Sequence, residues 1–387
     1  MEPRRRGLDL LEHLEQQRDT HGGVFPRAGG GVYVADPALA RAVLGNGAGD
    51  FTEHSDFFKL RSGTLGPRSA QVSIGRAARQ LLQRHAETRS AGLPDLIARH
   101  LVPISSWPDA GNRILFEFGH EVLVGAAPSG ALLETVHAVV ERAVLAGARD
   151  GYSRLSRAIF RARVMRVLIA EIAARRVLPR GEAYDLLDVV AGGADAGTDN
   201  RDLAEVYLSC LFAMVGSVGF LLGWALYLLG ASGPGSGKPG PGAAPVPPAW
   251  VVREAMRLWP VAWLFARRPA RALELGGVAV GSKDRVVVCG YLVHRDPDQW
   301  PDPNEFRPDR WASNSGREAF IPFGWGPHSC VAAGFSLQLV ETIVDIVASA
   351  YRLQIAVPDP RPHIAAALAP PSYTLTLTPF PERSERR

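Results

Sequence analysis

Cys330 ends FIPFGWGPHSC, residues 320 to 330, a glycine-rich stretch that runs into VAAGFSLQLVETIVDIVASAYRL, a pattern for a long helix. A thiolate at a helix N-terminus is favoured by the helix dipole and by unpaired backbone N–H groups, which lowers its pKa and makes it a ligand or a nucleophile. Gly324 and Gly326 let the backbone approach a neighbouring group where side chains would block it. A lone cysteine is otherwise a small buried hydrophobe, the reading that suits Cys210 and Cys289. No histidine and acid with nucleophile spacing flank Cys330, so metal ligation fits it better than nucleophilic catalysis.

Two further pieces carry charge in ordered settings. Glu254 and Arg257 in REAMR stand three apart on one helix face, where an acid and a guanidinium can pair. Taken alone this is a surface ion pair worth a few tenths of a kcal/mol. FRPDRW, residues 306 to 311, places Arg310 in a proline-framed loop.

The elements that must position these residues follow from the patterning. AWVVREAMRLW starts behind Pro247 and Pro248 and stops before Pro260, as a short helix should. ALELGGVAVGSKDRVVVCGYLVHRDP has the β-branched alternation and glycine turns of a small sheet. Residues 20 to 45 hold short strand-like pieces around GGGVYVAD and then the helical PALARAVLGN, while amphipathic helical segments fill most of 90 to 230. The fold class is mainly α with a small β part. Between Val206 and Gly230 there is no charge, enough length to cross about 30 Å of hydrocarbon. It is the only such segment, and its flanks lack a Lys/Arg asymmetry, so the expectation is a core helix. SGPGSGKPGPGAAPVPP, residues 232 to 248, is a loop; it is either a domain boundary or an internal connector, and the second is preferred.

Composition narrows the function classes. At 387 residues the chain allows one large domain or two or three smaller ones, and 47% hydrophobic against 21% charged residues is the balance of a soluble globular protein. Basic and acidic side chains, 43 against 39, leave a net charge of +4, too little for a polyanion-seeking field, so no nucleic-acid partner is expected. Three scattered cysteines exclude a disulfide framework and a four-cysteine zinc site. The N-terminus shows no apolar signal region, so neither secretion nor a membrane anchor is expected and the protein is placed in the cytoplasm.

In this order the pieces resemble the cytochrome P450 family of haem-thiolate monooxygenases. Phe323, Gly324, Gly326, His328 and Cys330 match its F-G-x-G-x-H-x-C loop, Glu254 and Arg257 its E-x-x-R helix, and Arg310 the arginine of its F-x-P-x-R-W segment. HRDPDQWPDPNEF also fits. The match is firm over about residues 203 to 345 and looser elsewhere. It implies a cytochrome P450 fold, one triangular domain over residues 1 to 387, with haem b (iron protoporphyrin IX) as cofactor. Cys330 would be the axial thiolate on iron, His328 and Arg267 (or its neighbour Arg268) would hold propionates, and Phe323 would pack near the sulfur. Glu254, Arg257 and Arg310 would form the structural network behind the haem, and residues 203 to 230 the central distal helix.

Several positions depart from the family. Its A-G-x-[DE]-T run is here Ala213, Met214, Val215, Gly216 and Ser217, so Gly216 replaces the acid and only the Ser217 hydroxyl remains for proton relay, unless that hydroxyl merely satisfies a backbone carbonyl. Arg79 and Arg84 lack the usual spacing of propionate ligands, and Ala332 replaces a common glycine. The connector stands where another helix is usual. The resemblance implies a bacterial-type monooxygenase fed by an external ferredoxin, since no flavin or nucleotide segment is visible, and acting as a monomer. Phe57, Phe58, Leu60, Met214, Val215, Phe220, Ala262, Trp263 and Leu264 are the expected pocket for a hydrophobic small molecule, a biosynthetic intermediate of secondary metabolism. Alternatives are an atypical haem-thiolate enzyme (peroxygenase, oxidative coupling or dehydration) or a catalytically silent haem-binding or ligand-binding module.

Overall fold

The structure, a computed structural model, describes residues 8–52, 57–58, 60–61, 63–145, 152–177, 181–232, 246–313 and 316–381. The chain divides into two compact units, one of residues 1–56, 224–330 and 359–371 and the other of 57–223, 331–358 and 372–387. Residues on both sides of the Gly/Pro connector fall in the same unit, so the connector is not the boundary between the two; most of it, 233–245, lies outside the described residues.

The first unit is organised by a four-stranded sheet. Val24–Pro26 pairs antiparallel with Val32–Val34, which runs parallel to Val286–Cys289, which in turn pairs antiparallel with Leu264–Arg267. The strand Val286–Cys289 is buried on both faces, as its unbroken β-branched run requires. Leu264–Arg267, at the edge of the sheet, is too short to show a strand period in the sequence. One side of the sheet packs with Val43, Leu44, Trp300 and Ile321, the other with Leu11, Leu14, Trp263 and Leu292. The hairpin Leu273–Leu275/Val278–Val280 turns at Gly276 and Gly277, both at positive φ, which a two-residue hairpin loop demands.

The second unit is mostly helical. Its long members are Arg68–Arg89, Arg154–Val177 and Ala333–Ala350, with the shorter Asp109–Phe118 and Gly130–Val139, and an antiparallel sheet in the order Ile104–Trp107, Tyr373–Pro379, Tyr351–Ala356. The charge-free segment lies within one helical run, Asn200–Ala231, whose most apolar stretch is 78% buried, as a core helix should be. Among the described residues Ala333–Ala350 also has the length and hydropathy of a span, so the segment is not the only one of its kind.

Candidate functional site

The Cys330 loop is held by its own backbone. Gly324 N–H donates to Ile321 O (3.0 Å), Ser329 N–H to Gly326 O (3.2 Å) and Cys330 N–H back across the loop to Phe323 O (3.0 Å). Gly324 at φ +74° and Gly326 at φ +71° occupy the left-handed region, and a Cβ on Gly326 would lie 2.9 Å from Gly45 Cα. The result is an exposed Cys330, whereas Cys210 and Cys289 are buried and burial pushes both thiols up to about 12. The following helix begins at Ala333 rather than directly after Cys330, because Val331 and Ala332 form a turn. The dipole therefore reaches the sulfur across two residues, not from within the first helical turn.

Behind the loop, Glu254 and Arg257 are not the surface pair their spacing suggests: both are 0% exposed. Arg257 donates from Nε and Nη2 to the two carboxylate oxygens (2.9 and 2.8 Å), and Glu254 also accepts from Arg310 Nε (3.0 Å), the Trp311 indole (2.9 Å) and Arg307 N–H (3.0 Å). The remaining guanidinium donors reach His294 O, Pro303 O and Glu305 O. A buried ion pair survives only when its hydrogen-bonding capacity is met in this way. The pair also braces the cysteine loop: the backbone of His294 takes Arg257 Nη1, and its ring Nε2 accepts Ile321 N–H at 2.9 Å. Burial, with Arg257 and Arg295 close by, pushes His294 down to about 3, so the ring is neutral, and the bond from Ile321 places its proton on Nδ1. His294 opens the HRDP run, and its role is not legible there because its partner Ile321 lies 27 residues away.

Arg267, the last residue of the strand Leu264–Arg267, is buried, and Arg268 just after it is exposed. Strand alternation puts Arg267 on the face of Phe265, whose ring lies 3.6 Å from where a Gly324 Cβ would stand. Of the two arginines, Arg267 is the one on the loop side. His328 and Phe323 are part-buried. In the second unit Arg79 Nε donates to Val331 O (3.1 Å), the residue after Cys330, while Arg84 pairs with Glu182.

The run Asn200–Ala231 changes its bonding at Phe212–Ser217, a π turn in which Val218 N–H reaches Ala213 O. Ser209, Phe212, Ala213 and Ser217 share the open face, and the Ser217 hydroxyl makes no hydrogen bond among the described residues. Met214, Val215 and Phe220 do not line that face. All three are buried in packing, and a Cβ at Gly119 would collide with Met214 Cε. The open positions of the run are Ser209, Phe212, Ala213 and Ser217 instead, the side that neighbouring helices leave uncovered. Phe58 and Leu60 are likewise buried, with Phe57 part-buried and edge-on to Phe58. Trp263 is buried with its indole donated to Ala365 O, leaving Ala262 exposed and Leu264 part-buried.

The residues fit a haem. Among the described residues no group of three or more His, Cys, Asp or Glu could hold a metal by themselves, while a single exposed thiol on a glycine-shaped, backbone-pinned loop can supply one axial ligand to a metal already held by a macrocycle. The cytochrome P450 family model matches residues 249–377, spanning the Glu254 network, the HRDP run and the Cys330 loop. Over that span the chain matches the cytochrome P450 family. Cyclooctatin synthase of Streptomyces melanosporofaciens is 29% identical over 216 residues, 49% of this chain and 47% of that protein. Cyclooctat-9-en-7-ol 5-monooxygenase of the same organism is 34% identical over 108 residues, 27% of this chain and 24% of that protein. These matches cover about half and about a quarter of the relatives' lengths. The open form of cytochrome P450 EryK from S. erythraea superposes with a TM-score of 0.71 at 19% identity, covering 97% of this chain and 98% of that one, which shows a shared P450 fold. Haem b is the cofactor of that family, and Cys330 is this chain's candidate thiolate.

Proposed function

We propose that this chain is a cytochrome P450, a haem-thiolate monooxygenase of one P450 domain that inserts an oxygen atom from O2 into a hydrophobic small molecule. The observation that carries the reading is the contrast among the thiols: Cys330 is exposed on a loop braced through His294 by the buried Glu254–Arg257 pair, and the other two are packed away. Haem, when bound, supplies the O2 chemistry. Cys330 would be its axial ligand, Arg267 and His328 would face its propionates, Phe323 would shield the sulfur and Ser217 would hold a proton on the open face of the central helix. Relatives named for cyclooctatin chemistry support a substrate from secondary metabolism. A ferredoxin-type donor, a cytoplasmic location and a monomeric state complete the reading. Its test is the absorption spectrum of the reduced, CO-bound protein: a red-shifted Soret band that vanishes in Cys330→Ala is expected, and its absence from the intact protein overturns the reading.

A second reading is peroxide-driven or otherwise atypical turnover, favoured by Gly216 standing where the family carries an acid. Turnover with peroxide and none with O2 and a reducing system would select it. Ser217→Ala separates the two for the relay, because uncoupling of product from reductant is expected only if the Ser217 hydroxyl delivers protons.

A further inference from the structure

The helix Arg154–Val177 carries Arg154, Arg157, Arg161, Arg163, Arg166, Arg175 and Arg176 against the single acid Glu171, a formal +6 on one helix of a chain whose total is +4. Its C-terminal end is compensated. Arg175 pairs with Asp185 and Asp188 at 2.9 and 2.7 Å, and Arg176 donates to Thr198 O and Asn200 Oδ1. The N-terminal half is not compensated to the same degree, and it borders an open cavity of about 420 Å³ within the second unit.

The chemistry of this cavity is uneven. Val139, Val164, Leu208 and Phe212 give it an apolar wall, while Arg142, Arg157 and Arg161 are its charged lining, with no carboxylate among the lining residues. Arg161 is committed to Glu205 at 2.8 Å. Arg142 is held differently: its guanidinium lies 5.6 Å from the ring centre of Tyr152 and 5.2 Å from that of Phe160, contacts that orient a cation without neutralising it. Arg157 donates Nε to Tyr152 O (3.0 Å), which fixes the guanidinium and leaves its terminal N–H groups. Among the described residues neither Arg142 nor Arg157 pairs with an acid within the structure. Phe212 joins the cavity to the open face of the central helix, because it belongs to the π turn that ends at Ser217.

We propose that this cavity binds an apolar organic acid, its carboxylate opposite Arg142 and Arg157 and its hydrocarbon along Val164, Leu208 and Phe212. This names the substrate class of the monooxygenase reading and rests on it. The volume lies in the range of small-molecule sites, and two fixed guanidiniums beside an apolar wall distinguish an acid from its neutral counterpart more sharply than either group could alone. Arg142 and Arg157 are then specificity-determining residues.

Calorimetric titration of the haem-loaded protein with matched pairs tests this: dodecanoate against dodecan-1-ol, and dehydroabietate against dehydroabietinol. At low ionic strength at least one acid is expected to bind ten times or more tightly than its alcohol, with the gap shrinking in 0.5 M salt, about where the Debye length falls to a few Å. Arg142→Gln with Arg157→Gln should erase the preference and leave the alcohol within twofold, while the double Lys variant keeps most of it. Equal affinity within both pairs, no binding of any probe, or a preference that survives the double Gln variant each overturns the proposal. The reduced-CO spectrum of the same preparation separates the two readings. A red-shifted band without acid preference removes only the substrate class, whereas acid preference without that band removes the haem-thiolate reading and with it the acid's role as substrate, leaving acid binding at the cavity.

Discussion

Asn112 Nδ2 lies 2.8 Å from the carbonyl oxygen of Val215, so a fully buried amide on the Asp109–Phe118 helix satisfies a carbonyl within the π turn of the central helix. A second, longer contact reaches Gly216 O at 3.4 Å. The turn that carries Gly216 and Ser217 is thus held open from the side by a neighbouring helix.

Replacing Asn112 by Leu removes the donor and leaves Val215 O buried without that partner. The expected loss is about 1–3 kcal/mol in urea unfolding, the cost of an unmet buried acceptor. Product coupling should fall as well, since the turn under Ser217 loses its brace.

Two glycines in the same helix should respond oppositely to alanine. A Cβ on Gly219 would stand 2.5 Å from Asn112 Nδ2 and 3.1 Å from Asn112 Cα, so Gly219→Ala should cost about 1–3 kcal/mol by overpacking. Gly216→Ala meets only Val144 Cγ1 at 3.9 Å and should fold with unchanged or higher stability, read by the same urea titration.

Thiol reactivity should single out Cys330. In the haem-free protein at pH 8, iodoacetamide followed by mass spectrometry should label Cys330 alone, because Cys210 and Cys289 are buried with thiols near 12. Haem should protect Cys330, and denaturant should expose all three.

Acid should weaken the fold through His294. Its folded value near 3 lies below the ordinary 6.5, so as pH falls the unfolded chain takes up this proton first. The stability it contributes is whole above pH about 6.5 and is lost toward pH about 3, at up to about 1.4 kcal/mol per unit. His294→Gln should flatten that part of the stability profile and, by loosening the support at Ile321, lower haem retention.

Glu254→Gln tests the buried network. Arg257 and Arg310 would keep their charge and lose the carboxylate between them, and breaking a buried pair costs about 3–5 kcal/mol. Differential scanning calorimetry should show the loss, with haem released at lower temperature than from the parent protein.

Elements that local chemistry dictates are legible in the amino-acid sequence. Prolines bracket the Glu254 helix, β-branched runs mark the sheet strand at Val286–Cys289, and the glycine spacing around Cys330 identifies the loop, because each of these is a constraint within a few residues. Partners far apart in the chain come together only in the folded protein. The burial of Glu254, the hold of His294 on Ile321 and the amide of Asn112 on Val215 depend on residues 27 to 103 positions away, which no local pattern encodes. The same holds for the central helix: Met214 and Val215 are packed away while Phe212 and Ser217 stay on the open face, because which side of the helix is covered depends on the neighbouring helices.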